Sequence, residues 1–347
     1  MQPINIATHR LLSQKIFNSD LLTPAEVVSH LGAVQAQDYT MSKWGIGLRI
    51  PQATDSQVEQ AIKEGQIVRT HIMRPTWHWV AAQDLRWIMA LTAPHVQQLV
   101  ASMNRKLALD DQTLQKASEV MATALAGHNY LTRSELMAQI EQAGIITSDL
   151  RAAHLTAYAE LNCLICNGPT RDKQITYALV DERIPATQPL SREEALGKLA
   201  LKYFTSHGPA TVQDFAWWSG LKITDARKAV ALVQSNFINE KINDQLYYFL
   251  NSPSISTHSV HLLPAFDEFM VSYKDRTASL SPNKHQEAIT GNGIFKPIIV
   301  VDGKVTGIWK KVISQKQTKV QTSFFDTHFE SGLLEKALKE YIHFLEN

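Results

Sequence analysis

Three times in this sequence a hydroxyl residue stands three places ahead of a glutamate at the start of an apolar helical pattern. The pairs are Thr23 with Glu26, Thr132 with Glu135 and Ser191 with Glu194. In such a box the hydroxyl accepts from the backbone N–H three residues on, and the glutamate reaches back to the cap's own N–H. Each box predicts a helix start, and each is followed by a second helical stretch and then by strand-like runs. Residues 67–73 and 76–80 form the first strand pair, with Arg74-Pro75 at the turn. A single run at 175–180 follows the second box. Runs at 237–242 and 245–250 follow the third, and Asn243-Asp244 between them is a hairpin signal. Paired helices followed by strands, three times over, is the plan of a winged helix in tandem.

The last ninety residues change character. Val305-Thr306-Gly307-Ile308-Trp309 follows Ile298-Ile299-Val300-Val301 across Asp302-Gly303, a second hairpin signal. A closing helix with a stripe at Leu334, Leu338 and Ile342 ends the chain. The expected fold is mainly α with small β elements (α+β): three tandem winged-helix motifs plus a C-terminal β-barrel-like element. The expected boundaries are 1–82, 83–188, 189–255 and 256–347.

At 347 residues, 44% hydrophobic and 19% charged, the chain is long and apolar enough for two or three packed domains. Its net charge of +1 supplies no global field toward nucleic acid, so a DNA-binding face must be a local patch. Between Phe295 and Val320, six lysines (Lys296, Lys304, Lys310, Lys311, Lys316 and Lys319) face one acid, Asp302. That run is either a solvated strand face or a phosphate-facing patch. Two cysteines, Cys163 and Cys166, are expected one turn apart on a helix as packing thiols, which fits a reducing cytoplasm. Neither a leader peptide nor a membrane-length apolar run is read. No Walker loop, dinucleotide fingerprint or zinc spacing is present, and Gly45-Ile46-Gly47 lacks a preceding strand. No metal or cofactor is expected. His71 and His78 are expected to face each other across the first hairpin as a structural pair.

The chemistry-bearing stretch is Leu31-Gly32-Ala33-Val34-Gln35-Ala36-Gln37-Asp38, leading to Tyr39 and Trp44. Thr23, Pro24 and Glu26 start a helix that buries Val27, Val28, Leu31 and Val34, so both glutamines fall at its end or just past it. There an amide either caps backbone groups or is free to act, and Gly32 leaves room for a neighbour to approach.

These residues resemble the winged-helix DNA-binding family that includes the bacterial AlkZ-type DNA glycosylases. The resemblance runs through 32–38 and Trp44, through 69–80, and through 262–267, 273–276 and 293–303. It implies excision of alkylated or crosslinked purines from double-stranded DNA by hydrolysis of the N-glycosidic bond, by a monomer without cofactor. The family's catalytic signature is glutamine, an aliphatic residue, then glutamine or aspartate. Here it reads Gln35-Ala36-Gln37, with only the small alanine in the middle, and Arg74-Pro75-Thr76-Trp77 resembles a broader branch of the family.

What the resemblance implies for the site is a water held by Gln35 and Gln37 against C1′ of the sugar. Asp38 is the nearby group able to accept a proton or offset positive charge, unless it only caps a helix. Alkylated purines leave as neutral bases, so the leaving group needs no proton. Trp44, Arg69, His71, Arg74, Trp77, Arg171, Lys173, Lys241, Lys310 and Lys311 are the expected DNA contacts; for Tyr39, Trp44 and Trp77 the alternative is a place in the core. The alternative function is a non-catalytic winged-helix DNA-binding protein or transcriptional regulator, in which the glutamines would not matter. An interaction scaffold without DNA affinity is the third possibility.

Overall fold

A computed structural model describes residues 4–251, 258–314, 317–326 and 332–346. Lys316 and the first three residues lie outside the described residues. The chain forms two compact units that are discontinuous in sequence. The first comprises residues 1–58, 196–218 and 222–347, the second residues 59–195 and 219–221.

In the first unit, helix Ile6–Ser13 is capped by Asn5, whose side chain accepts from the N–H groups of Ala7 and Thr8. The capping box of Thr23 and Glu26 starts helix Pro24–Leu31, as expected. That helix stops four residues before Gln35, because Gly32 takes a positive φ of 81° and turns the chain into the short strand Val34–Gln35. Side chains with a Cβ rarely adopt that φ. Helix Tyr39–Gly47 follows at once. Helix Arg192–His207, begun by the Ser191–Glu194 box, packs an aromatic cluster of Tyr203, Phe204, Phe215 and Trp218. Hairpin Ile238–Ile242 and Gln245–Phe249 turns at Asn243 and Asp244, both at positive φ.

The C-terminal part of this unit is an antiparallel sheet in the order Gln317–Phe324, Lys304–Ser314, Ile298–Val301, Val260–Leu263. Its apolar face buries Leu263, Ile298 and Val300 against Leu11, Phe269 and Met270. Each such side chain contributes about 1.5–3 kcal/mol by leaving water. The closing helix Gly332–Glu346 seats Tyr341 and Phe344 on Trp44, at ring separations of 5.1 and 5.2 Å. Gly47 belongs to that seat: a Cβ there would lie 2.4 Å from the Phe344 ring. The Gly45-Ile46-Gly47 sequence thus serves packing.

In the second unit, strands Ile67–Ile72 and Arg74–Ala81 form an antiparallel hairpin that runs into helix Ala82–Lys106. Helices Asp111–Leu125, Arg133–Gln142 and Arg151–Leu161 pack Leu114, Met121, Leu136, Ile140 and Leu155 into one core. A small antiparallel sheet lies beside them, ordered Leu131–Thr132, Thr176–Leu179, Ile165–Asn167. The Thr132–Glu135 box is present in full.

Two local expectations are corrected. Cys163 and Cys166 do not share a helix: Leu161 ends it, Cys163 takes a positive φ, and Cys166 sits in strand Ile165–Asn167. Both are free thiols, and burial pushes Cys166 up to about 12. His71 faces Trp77 across the hairpin while His78 faces Thr70, because the chain turns at Met73, at positive φ, and a bulge lies between His71 and Ile72.

Candidate active site

The Gln35–Asp38 segment is built from behind. Ala36 is fully buried and Gln35 nearly so, whereas Gln37 and Asp38 are exposed. Asp38 caps helix Tyr39–Gly47, accepting from the Met41 N–H at 3.0 Å, so the capping role open for it in the sequence is filled. The backbone N–H of Gln35 donates to Glu268 Oε1 at 2.6 Å. Glu268 is fully buried. Its other oxygen accepts from Trp218 Nε1 at 3.2 Å and from the Ser272 hydroxyl. The Trp218 ring also closes on Gly32, where a Cβ would lie 3.1 Å from it. The small residue expected to admit a neighbour does so.

The chain on the far side of the motif is fixed by the preceding acid. Asp267 holds Arg49 through two 2.9 Å bonds, and Arg49 also donates to the carbonyls of Gly45 and Gln14. Arg49 and Asp267 are both inaccessible to water. A bidentate pair of this kind is directional and strong. Around it, the Arg10 guanidinium lies 3.5 Å from the Tyr273 ring centroid, and Gln14 donates to the Tyr273 hydroxyl. Burial raises the Tyr273 phenol above its ordinary range.

The other expected residues separate into two sets. Trp44, Lys241, Lys310 and Lys311 belong to the first unit with the glutamines. Trp44 is core instead of DNA surface: it is 5% exposed, and its indole N–H donates to the Leu262 carbonyl at 2.7 Å. Lys241 is exposed on the hairpin and pairs with Asp244 at 2.9 Å. Lys310 and Lys311 sit opposite Gln321 and Val320 on the long hairpin, so they point to its two faces. The exposed Lys319 is opposite Val312 and thus shares the Lys310 face.

Arg69, His71, Arg74, Trp77, Arg171 and Lys173 belong to the second unit. Arg69 is also core: it is buried, donates to Asn167, and lies 4.4 Å over the Trp77 ring. His71 gives its backbone N–H and Nδ1 to the fully buried Glu160, and its ring lies 4.5 Å from Trp77. Arg74 meets His78 Nε2 at 3.2 Å, while His78 Nδ1 donates to the Thr76 carbonyl. That second bond fixes the tautomer in which Nε2 accepts from Arg74. Arg171 is held by Glu135, whose carboxyl falls to about 2 through the Thr132 N–H first and Arg171 second. Lys173 is exposed on the tight turn beside Arg171.

Glu268, Trp218 and the Arg49–Asp267 pair were not legible as site residues. Asp267 closes one of the family-like stretches, but nothing in the pattern marks Glu268 as buried.

The fold is similar to that of a solved DNA glycosylase. It matches the DNA glycosylase AlkZ of Streptomyces sahachiroi with a TM-score of 0.83 at 21% identity, covering 98% of this chain and 95% of that one. A curated relative from the same organism, an interstrand DNA cross-link repair glycosylase, is 24% identical over 320 residues, or 87% of this chain and 85% of its own length. Residues 28–345 match the family model described as DNA glycosylase AlkZ-like, and the chain belongs to that family: it is a DNA glycosylase, a hydrolase acting on N-glycosyl bonds. Among the described residues, no helix is long and apolar enough to cross a membrane.

Proposed function

We propose that this enzyme excises alkylated purines, including crosslinked ones, from double-stranded DNA, with Gln35 and Gln37 orienting the attacking water. The observation that carries this reading is the arrangement of the motif: two glutamines two residues apart, the intervening alanine buried, and the segment anchored through its backbone. The water oxygen bonds to C1′, the C1′–N bond breaks, and its electron pair leaves with the purine, which departs as a neutral base. The water proton passes to solvent or to Asp38. The amide carbonyls orient the water, and the Asp38 carboxylate offsets the positive charge that develops on the sugar.

The duplex contacts we assign are Lys241, Lys310, Lys311, Lys173 and Arg171, with Arg74, His71 and Trp77 from the first hairpin. We read the three helix–hairpin repeats as winged helices, the C-terminal sheet as the barrel-like element, and the boundaries as 1–82, 83–188, 189–255 and 256–347. The cross-link repair activity named for the Streptomyces relative supports the bulky-lesion part of this reading. The experiment is incubation with duplexes carrying N7-methylguanine or an N7-linked interstrand crosslink, followed by detection of abasic sites. Abasic sites on both support it. Release from neither, by protein that binds the duplex, overturns it.

A further inference from the structure

We propose that Glu268 is a positioning residue for base excision, acting through the backbone of Gln35 to hold that amide in register for the water it orients. This rests on the reading of Gln35 given above. Three donors converge on this one carboxylate: the Gln35 N–H, the Trp218 indole N–H and the Ser272 hydroxyl. A carboxylate is an acceptor-only group and suits all three at once. His207 Nε2 stands 3.8 Å from the same carboxylate, and burial pushes its imidazole below the ordinary histidine range.

A carboxylate with no access to water is an expensive way to obtain stability alone. Apolar residues of similar volume commonly serve a core as well or better. What this carboxylate supplies instead is direction. Trp218, which it holds through the indole N–H, is the ring packed on Gly32, so Glu268 and Trp218 together fix residues 32 and 35. The adjacent Asp267 fixes the chain beyond Asp38 through Arg49 and the Gly45 carbonyl. Two consecutive acids thus grip the backbone on either side of Gln37. Rotating the short strand about Gln35 would abandon a charge-assisted bond in a dry site. A displacement of about 1 Å at a group that aims a reactant costs roughly 10²-fold in rate.

The test is single-turnover excision of N7-methylguanine from a duplex, with duplex affinity and melting temperature measured on the same proteins. Glu268→Gln keeps the size and one acceptor oxygen, but turns an NH₂ toward a donor. It is expected to slow excision by about 10²-fold with duplex Kd within about twofold of the parent. Gln35→Ala/Glu268→Gln should be no slower than Gln35→Ala, because the second change acts only through the first. Trp218→Phe removes one donor and keeps a ring at Gly32; its smaller loss should likewise vanish in the Gln35→Ala background, and it carries the test should Glu268→Gln fail to fold. Parent-like excision by these variants, or losses that multiply with that of Gln35→Ala, overturns the positioning role and leaves Gln35 standing. Parent-like excision by Gln35→Ala overturns the Gln35 reading itself, and the positioning role with it.

Discussion

The backbone N–H of Gln35 and the carboxylate of Glu268 stand 2.6 Å apart, although 233 residues separate them in sequence. That bond ties the Gln-Ala-Gln segment to the turn of helix that follows Pro264-Ala265-Phe266-Asp267. It also explains why the motif leaves the helix early. Had helix Pro24–Leu31 continued through Gln35, this N–H would bond within the helix and could not meet Glu268.

The closing helix depends on the absence of a side chain at Gly47. Gly47→Ala would drive a methyl into the Phe344 ring, 2.4 Å from the ideal Cβ position. Overpacking of this kind costs about 1–3 kcal/mol. Urea unfolding should show a lower midpoint with an unchanged slope. An unchanged midpoint would mean that the helix is not seated on Gly47.

Duplex binding should weaken steeply with salt and draw on Lys310 and Lys311. Each lost phosphate contact lowers the slope of log affinity against log salt by about 0.9. Replacing both lysines by alanine should therefore flatten the slope by about 1.8 if each meets a phosphate. A slope equal to the parent's would make the pair a solvated strand face.

Acid should destabilise the protein well before its carboxylates titrate. Burial pushes His30 and His261 down to about 4, and His207 downward as well. A histidine lowered in the folded state binds its proton first in the unfolded chain. Its contribution is therefore complete above about pH 6.5 and is lost as pH falls toward about 4. Each such group adds at most about 1.4 kcal/mol per pH unit to that slope. Urea midpoints measured at pH 8, 6 and 4.5 should decline over this window. A flat profile would contradict the burial of neutral imidazoles.

Local signals carried much of this fold. The three Ser/Thr–Glu boxes start helices as expected, and Asn243-Asp244 and Asp302-Gly303 turn hairpins, because caps and positive-φ turns are decided by a few adjacent residues. The readings that failed depended on distant partners or on register. Nothing near Trp44 announces that Tyr341 and Phe344 will cover it, and a turn at Met73 with the bulge beside it sets His71 against Trp77 instead of His78. Within the site, the family-like motif was readable. Its support was not: Glu268, Trp218 and Arg49 come from three separate stretches, and a buried carboxylate has no local signature.

Gln35 and Gln37 are proposed to act on the water and not on the fold. The direct measurement is single-turnover excision of N7-methylguanine by Gln35→Ala and Gln37→Ala, with melting temperature and duplex affinity read on the same samples. A positioned hydrogen-bonding group is worth about 10²–10³ in rate, or roughly 3–4 kcal/mol of barrier. Both variants should lose that much while melting and binding like the parent. Excision at the parent rate by both, on a duplex the parent cleaves, would contradict that role.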